Sequence, residues 1–190
     1  MKLNYSWLEL PNFKINVKLP KFFQRKPPEI IFLVGVPGSG KSTLVKKMKL
    51  ENKWHKHVIL STDAYMEEQA KYLGKNYDEI FEKLYPVAEE KFYENLNVAI
   101  KKNKNIIIDR TNVSVIDRKK ILEKIPVYYK KRAIVFFVPR DILKKRIAFR
   151  WSQTGKNITD EVMNRIVASY VTPGKEEFDI IENAQIYLPK

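Results

Sequence analysis

Not one of the 190 residues is a cysteine. That excludes disulfides, Cys-ligated zinc and a thiol nucleophile, and it fits a reducing cytosol. No apolar run approaches the roughly 20 residues needed to cross a bilayer, and the N-terminus has no apolar signal-peptide core. A cytoplasmic protein with no membrane partner is therefore expected. Acidic residues are in short supply: 22 stand against 36 Lys and Arg, for a formal net charge of +14. Such an excess points to polyanionic company, nucleic acid ahead of a membrane surface. Binding of that kind is salt-dependent whatever its specificity. A solvated lysine-rich surface is the plainer explanation of the same count. The length suits one ordinary domain and is short for two, and 44% hydrophobic residues can build its core.

Two regions differ in pattern. Residues 1–28 form a basic, aromatic appendage. Phe13, Ile15, Val17 and Leu19 alternate with Lys14, Asn16 and Lys18 at the period of a strand, and Pro11, Pro20, Pro27 and Pro28 punctuate the segment. An extra edge strand and a binding element both fit it. Residues 29–190 read as one α/β domain. Short apolar runs predict strands at Ile30–Val34, Val58–Ser61, Asn105–Asp109, Ala133–Val138 and Gln185–Leu188. Helices are expected at Lys41–Leu50, at Ser114–Glu123 behind a Ser114 cap, at Asp141–Arg150 and at Asp160–Tyr170. Ile80, Leu84, Val87, Phe92, Leu96 and Ile100 recur at helical spacing, so a long helix fills that region, bent at Pro86. Strands alternating with helices imply a five-stranded, mostly parallel sheet with helices on both faces.

The densest signal is Gly35-Val36-Pro37-Gly38-Ser39-Gly40-Lys41-Ser42, between the first strand and the first helix. Glycines let successive backbone N–H groups turn inward around a phosphate chain, and the helix N-terminus adds its positive end. This is the Walker A pattern of a P-loop. Gly35, Pro37, Gly38, Ser39, Gly40, Lys41, Ser42 and Thr43 are the candidate ATP contacts. Lys41 is expected at the β- and γ-phosphates, and Ser42 on Mg²⁺. Asp109 ends the third strand, where a carboxylate suits a Walker B role on the metal. A turn or capping Asp is the alternative.

Asp63 follows the second strand. Ligands of doubly wound sheets sit at the carboxyl ends of strands, so Asp63 is expected near the γ-phosphate, where it can take the proton of an attacking hydroxyl. Capping the helix that begins near Ala64 is the alternative, and one Asp can serve both roles.

Asp63, then Asp109-Arg110-Thr111-Asn112 with Arg118, then Lys145-Arg146 with Arg150 and Gly155-Lys156, resemble the polynucleotide 5′-kinase family of P-loop kinases over about residues 29–172. The resemblance implies a P-loop kinase fold with a basic lid. It implies that Asp63 is the general base and that Arg146 and Arg150 are lid arginines clamping the transferring phosphoryl group. On the acceptor side it implies Asp63, Arg110, Thr111, Asn112 and Arg118. Two positions depart from the phage-type end kinase. Met66 stands where that enzyme grips the acceptor phosphate with an Arg, and Arg110 stands where it has an acid. The stretches Tyr65-Met66-Glu67 to Gly74-Lys75-Asn76-Tyr77 and Asp109 to Val115 also resemble phage DNA kinases acting on the hydroxymethyl group of 5-hydroxymethyluracil. The expected activity is transfer from ATP·Mg²⁺ to a hydroxyl of nucleic acid, DNA ahead of RNA, at a 5′ end or on a hydroxymethylated base. A non-catalytic RNA-binding P-loop module and a zeta-toxin-like or small-molecule kinase are the alternatives. No Asn-Lys-x-Asp motif supports a GTPase, and the chain is short for the second lobe of a helicase.

Overall fold

The computed structural model describes residues 26–154 and 156–187. The alternating segment at 13–19 lies outside them. The elements are β1 (Glu29–Val34), α1 (Lys41–Leu50), β2 (His57–Leu60), α2 (Thr62–Leu73), α3 (Tyr77–Lys101), β3 (Asn105–Ile108), α4 (Val115–Leu122), β4 (Lys130–Val135), α5 (Arg140–Thr154), α6 (Asp160–Ala168) and β5 (Ile180–Asn183). The five strands form one sheet in the order β2-β3-β1-β4-β5, and every pairing is parallel.

β1 lies at the centre because it can be apolar on both faces. Ile30 to Val34 are all fully buried. Side chains alternate along a strand, so Ile30, Phe32 and Val34 pack with Phe92 and Leu96 of α3 and Ile121 of α4. Ile31 and Leu33 face the other way, onto Leu44, Val45 and Met48 of α1. Burying such a side chain contributes about 1.5–3 kcal/mol, which makes a charge here incompatible with the fold. A third cluster, Met66 and Ala70 of α2 against Tyr77, Ile80 and Ala88 of α3, joins those two helices beside the sheet. α3 runs through Pro86 as one helix; Pro86 has no N–H to donate to the preceding turn.

Three expectations change. The fourth strand runs from Lys130 to Val135 rather than Ala133 to Val138, because β4 pairs along the whole of β1, from Glu29↔Lys130 to Val34↔Val135. The fifth strand is Ile180–Asn183, not Gln185–Leu188. Asn183 Oδ1 accepts from the Gln185 N–H at 2.9 Å, and the chain then turns into a short 3-10 helix at Ala184–Tyr187. The N-cap of α2 is Ser61, whose hydroxyl accepts from the Ala64 N–H. Asp63 lies in the first turn and is not the cap, so its carboxylate is available for other partners.

Arg118 departs furthest from its expected place. It was assigned to the acceptor side, yet it is fully buried. Its Nε and Nη2 reach the two carboxylate oxygens of Glu177 at 2.8 and 2.7 Å. Its Nη1 donates to the carbonyls of Asn112, Val113 and Val171 at 3.1, 3.0 and 2.9 Å. A planar guanidinium can do this and an ammonium cannot. Arg118 therefore fastens α4 and the segment after α6 to the turn after β3. Replacing Arg118 by Ala leaves the buried carbonyls of Asn112 and Val113, the largely buried Glu177 carboxylate and the Val171 carbonyl without this donor. The expected loss is about 3–5 kcal/mol of unfolding free energy, with Arg118→Lys recovering only part of it. Urea denaturation measures both, and a loss below about 1 kcal/mol contradicts this role.

Candidate active site

The carboxyl ends of β1, β2 and β3 converge on one cleft. The chain leaves β1 for β2 in one direction and β4 for β5 in the other, and loops that diverge this way open a crevice at the strand ends. The loop after β1 fills its floor. Gly35 must be glycine: a Cβ would stand 2.9 Å from the Phe136 Cβ. Gly40, at φ 100°, is the left-handed N-cap of α1, and it turns the first helical N–H groups toward the cleft. Lys41 is buried, and its ammonium donates to the carbonyls of Gly35 at 2.7 Å and Val36 at 3.0 Å. Burial pulls its pKa down to about 8, against the opposing pull of the Asp109 and Asp63 carboxylates.

Ser42 Oγ donates to Asp109 Oδ2 at 3.1 Å. Burial raises the pKa of Asp109, and Lys41 and Ser42 act against that rise. A hydroxyl and a carboxylate side by side are hard oxygen donors. They fit Mg²⁺, which keeps several waters and takes only one or two protein ligands. Among the described residues no group of three or more His, Asp or Glu side chains could form an all-protein metal cage.

Asp63 stands across the cleft from the P-loop. Tyr77 donates its hydroxyl to Oδ1 at 2.8 Å, and the Lys156 ammonium lies 2.6 Å from Oδ2 and 4.2 Å above the Tyr77 ring. Burial pushes the Asp63 pKa up, but Lys156, Tyr77 and Arg150 outweigh it and hold the carboxyl below its ordinary value. Asp63 is therefore ionised at neutral pH. A carboxylate has about four lone-pair sites, so two named partners leave it able to accept a further hydroxyl.

Arg146 and Arg150, the two arginines expected in a lid, both border the P-loop cleft. Arg146 Nη1 donates to the Gly38 carbonyl at 3.2 Å, and Arg150 is ion-paired with Glu67 of α2. Gly38, Lys41, Ser42, Asp109, Arg146 and Arg150 line one cleft of about 740 Å³. A second cleft of about 520 Å³ opens between α3 and α6. Pro37, Asp63, Arg110 and Thr111 line both, so Asp63 sits at their junction.

The remaining acceptor-side candidates separate. Thr111 lines both clefts, and its carbonyl accepts from the Gly35 N–H at 2.9 Å. Arg110 also borders both, but its guanidinium is ion-paired with Glu89 and stacked over Phe92 at 4.8 Å. Asn112 is a correction. It is buried in the left-handed region at φ 51°, and its amide donates to the carbonyls of Leu33, Ile108 and Arg110 at 2.9, 3.2 and 3.2 Å. It splices β1 to β3 and faces no cleft. Three site residues lay outside the sequence-based assignment: Glu67, Tyr77 and Lys156. Glu67 carried a legible signal, since it lies one helical turn after Asp63 on the same face of α2. Tyr77 and Lys156 fall within the stretches that carry the family resemblances, but no role followed from them, because only tertiary packing brings them to Asp63.

This fold and cleft define a P-loop nucleotide-binding protein of the kinase type. More particularly, the chain belongs to the AAA domain family, matched over residues 30–173. Among solved structures it is similar to a protein from Chloroflexus aurantiacus j-10-fl at 18% identity and a TM-score of 0.63, covering 83% of this chain and 85% of that one. It is similar at 26% identity and a TM-score of 0.60 to a chain of the Pnkp1/Rnl/Hen1 RNA repair complex, covering 80% of this chain. It also resembles, at 19% identity and a TM-score of 0.58, a chain of the PezAT toxin-antitoxin system of Streptococcus pneumoniae, covering 68% of this chain. It spans 46% of the RNA-repair chain and 55% of the toxin-antitoxin chain. No curated protein matches it by sequence.

The lowered pKa of Lys41 makes nucleotide binding pH-dependent. An arriving phosphate favours the charged ammonium, so the bound pKa lies above the free value of about 8. ATP affinity is expected to be highest below pH 8 and to fall as pH rises through 9. Above pH 8, binding takes up close to one proton. Calorimetry in two buffers of different ionisation enthalpy counts that proton. No uptake at pH 8.5 contradicts the assignment.

Proposed function

We propose that this protein transfers the γ-phosphate of ATP to a hydroxyl group of a nucleic acid, at a 5′ end or on a hydroxymethylated base, with DNA favoured over RNA. The single observation that carries the reading is the position of Asp63. It is an ionised carboxylate at the junction of a P-loop cleft and a second cleft. A module that only binds nucleotide has no use for a base aimed between two compartments.

The chemistry follows from the residues present. The acceptor oxygen forms the new bond to the γ-phosphorus, the bond to the ADP oxygen breaks, and the acceptor proton passes to Asp63. Tyr77 and Lys156 fix the orientation of the carboxylate while leaving it lone pairs for the incoming hydroxyl. Lys41, Arg146 and Arg150, which line one cleft, would serve as donors to the charge that spreads over the transferring group. Ser42 and Asp109 would hold Mg²⁺, which neutralises β- and γ-phosphate oxygens when bound. The polyanionic acceptor is supported by the net charge of +14 and by the likeness to the RNA-repair chain. Met66, in place of an acceptor-clamping arginine, is fully buried in the α2–α3 cluster. That burial agrees with an acceptor side remodelled around something other than a terminal phosphate.

Labelled ATP offered in parallel with a 5′-OH oligonucleotide, a hydroxymethyluracil duplex and no acceptor tests the reading. Wild-type protein is expected to label one of the two nucleic acids. Asp63→Asn keeps the shape and removes the base, so transfer should fall roughly 10²-fold with ATP affinity nearly intact. Arg150→Ala should lower kcat by roughly 10²-fold, as for loss of one donor to a developing charge. Labelling of small hydroxy compounds with no nucleic acid labelled in any form refutes the acceptor assignment.

A further inference from the structure

The second cleft is built unlike a phosphate site. One wall is a ladder of rings on a single face of α3. Tyr77 and Phe81 have centroids 5.8 Å apart at 34°, and Phe81 and Tyr85 have centroids 4.9 Å apart at 33°. The spacing of four residues places all three on one helical stripe. The opposite wall is aliphatic: Ile158, then Val162 and Ile166 one turn apart on α6. The cleft opens at Asp63. Carboxylates border the ladder at Asp78, Glu79 and Glu82, and cations meet its two ends, where Lys156 lies over the Tyr77 ring and Arg110 donates to the Tyr85 hydroxyl. The two cations that line the cleft, Arg110 and Lys156, are each ion-paired with a carboxylate, Glu89 and Asp63. Phe81 keeps 40% of its surface exposed although rings flank it on both sides.

We infer that this second cleft holds the acceptor by a flat, uncharged ring, a nucleobase laid against the exposed Phe81 ring in the middle of the ladder, with every phosphate kept outside. The inference rests on the proposed role of Asp63 as the group that activates the acceptor hydroxyl. Aromatic rings facing an aliphatic wall suit a planar solute with two apolar faces. Base–aromatic stacking is tolerant of sequence, because every base has such a face. A polyol offers no flat face and would leave its hydroxyls without partners on the apolar walls. The three carboxylates repel a phosphate near the ring, so the strand must run outward from the cleft. The basic helix α5, with Lys144, Lys145 and Arg146 in its sequence, has the right sign for that backbone. The geometry assigns the acceptor side to recognition of a base, complementing a donor side that recognises phosphates.

The test is ligand-observed NMR on the full chain loaded with ADP and Mg²⁺, so it does not depend on transfer. The probes are thymidine, 5-hydroxymethyl-2′-deoxyuridine, thymidine 5′-monophosphate and gluconate. Both nucleosides should bind with saturation strongest on the base protons. The monophosphate should bind at least several-fold more weakly, and gluconate should not bind. Phe81→Leu keeps the apolar volume and removes the ring, and it should weaken nucleoside binding about 10-fold, the scale of one lost stack. Phe81→Trp should restore it, which separates stacking from a general loss of fold. The inference is overturned by equal saturation of sugar and base protons, by gluconate binding as well as the nucleosides, or by unchanged affinity in Phe81→Leu. Nucleoside binding without any phosphoryl transfer leaves this cleft standing and defeats the proposed function. Transfer to an oligonucleotide with no base saturation does the reverse.

Discussion

The geometry of the site depends on one buried side-chain amide. Asn112 hydrogen-bonds the last turns of β1 and β3 to each other through the carbonyls of Leu33 and Ile108. One residue earlier, the Thr111 carbonyl accepts the first N–H of the P-loop. Asp109, just past β3, and Ser42, in the first turn of α1 after β1, meet at 3.1 Å beside this splice. Asn112 adopts a left-handed backbone conformation that few residues other than glycine and asparagine reach without strain, and only asparagine also supplies the amide. Arg118 then holds the carbonyl of Asn112 from behind. Asn112 is therefore an architectural feature of the P-loop cleft, while Thr111 beside it lines both clefts.

Above that splice the charges hold one another in their states. Lys41 is buried beside two carboxylates, and its own charge moderates the rise in the pKa of Asp109. Lys156 and Arg150 hold the Asp63 pKa below its ordinary value against the effect of burial, while burial lowers the pKa of Lys156 and Asp63 acts against that fall. The structure thus holds one carboxylate below its ordinary pKa beside a lysine and a tyrosine, and the other above it beside a serine hydroxyl. The two differ by neighbourhood and not by residue type.

The lid binds the two compartments together. Arg146 touches the P-loop carbonyl of Gly38, and Arg150 pairs with Glu67 on α2. The Asn157 N–H donates to Asp78 at the start of α3, at 3.0 Å. Contacts from the segment 146–157 therefore reach the P-loop cleft, helix α2 that carries Asp63, and the wall of the second cleft. Exposed ion pairs of this kind contribute little to stability, so the lid is held by contacts that a substrate could replace at low cost.

Much of this was legible in the chain itself. The P-loop, its strand and its helix are local, so Gly35 to Ser42 declare them, and the strand-end positions of Asp63 and Asp109 follow from short apolar runs. All-parallel pairing follows from strands alternating with helices. Position along the sheet does not. β4 starts at Lys130 because β1 dictates its register, and β5 lies five residues before its expected start because pairing with β4 selected Ile180 rather than Gln185. The sequence by itself determined the donor side, because a phosphate cradle is made of consecutive backbone groups. Only the tertiary structure decided the acceptor side. Asp63, Tyr77 and Lys156 meet across long separations, and it took packing to show that Asn112 and Arg118 are buried fasteners while Phe81 is an exposed ring. Burial and partnership of a side chain are properties of the packed chain, which no spacing along the sequence encodes.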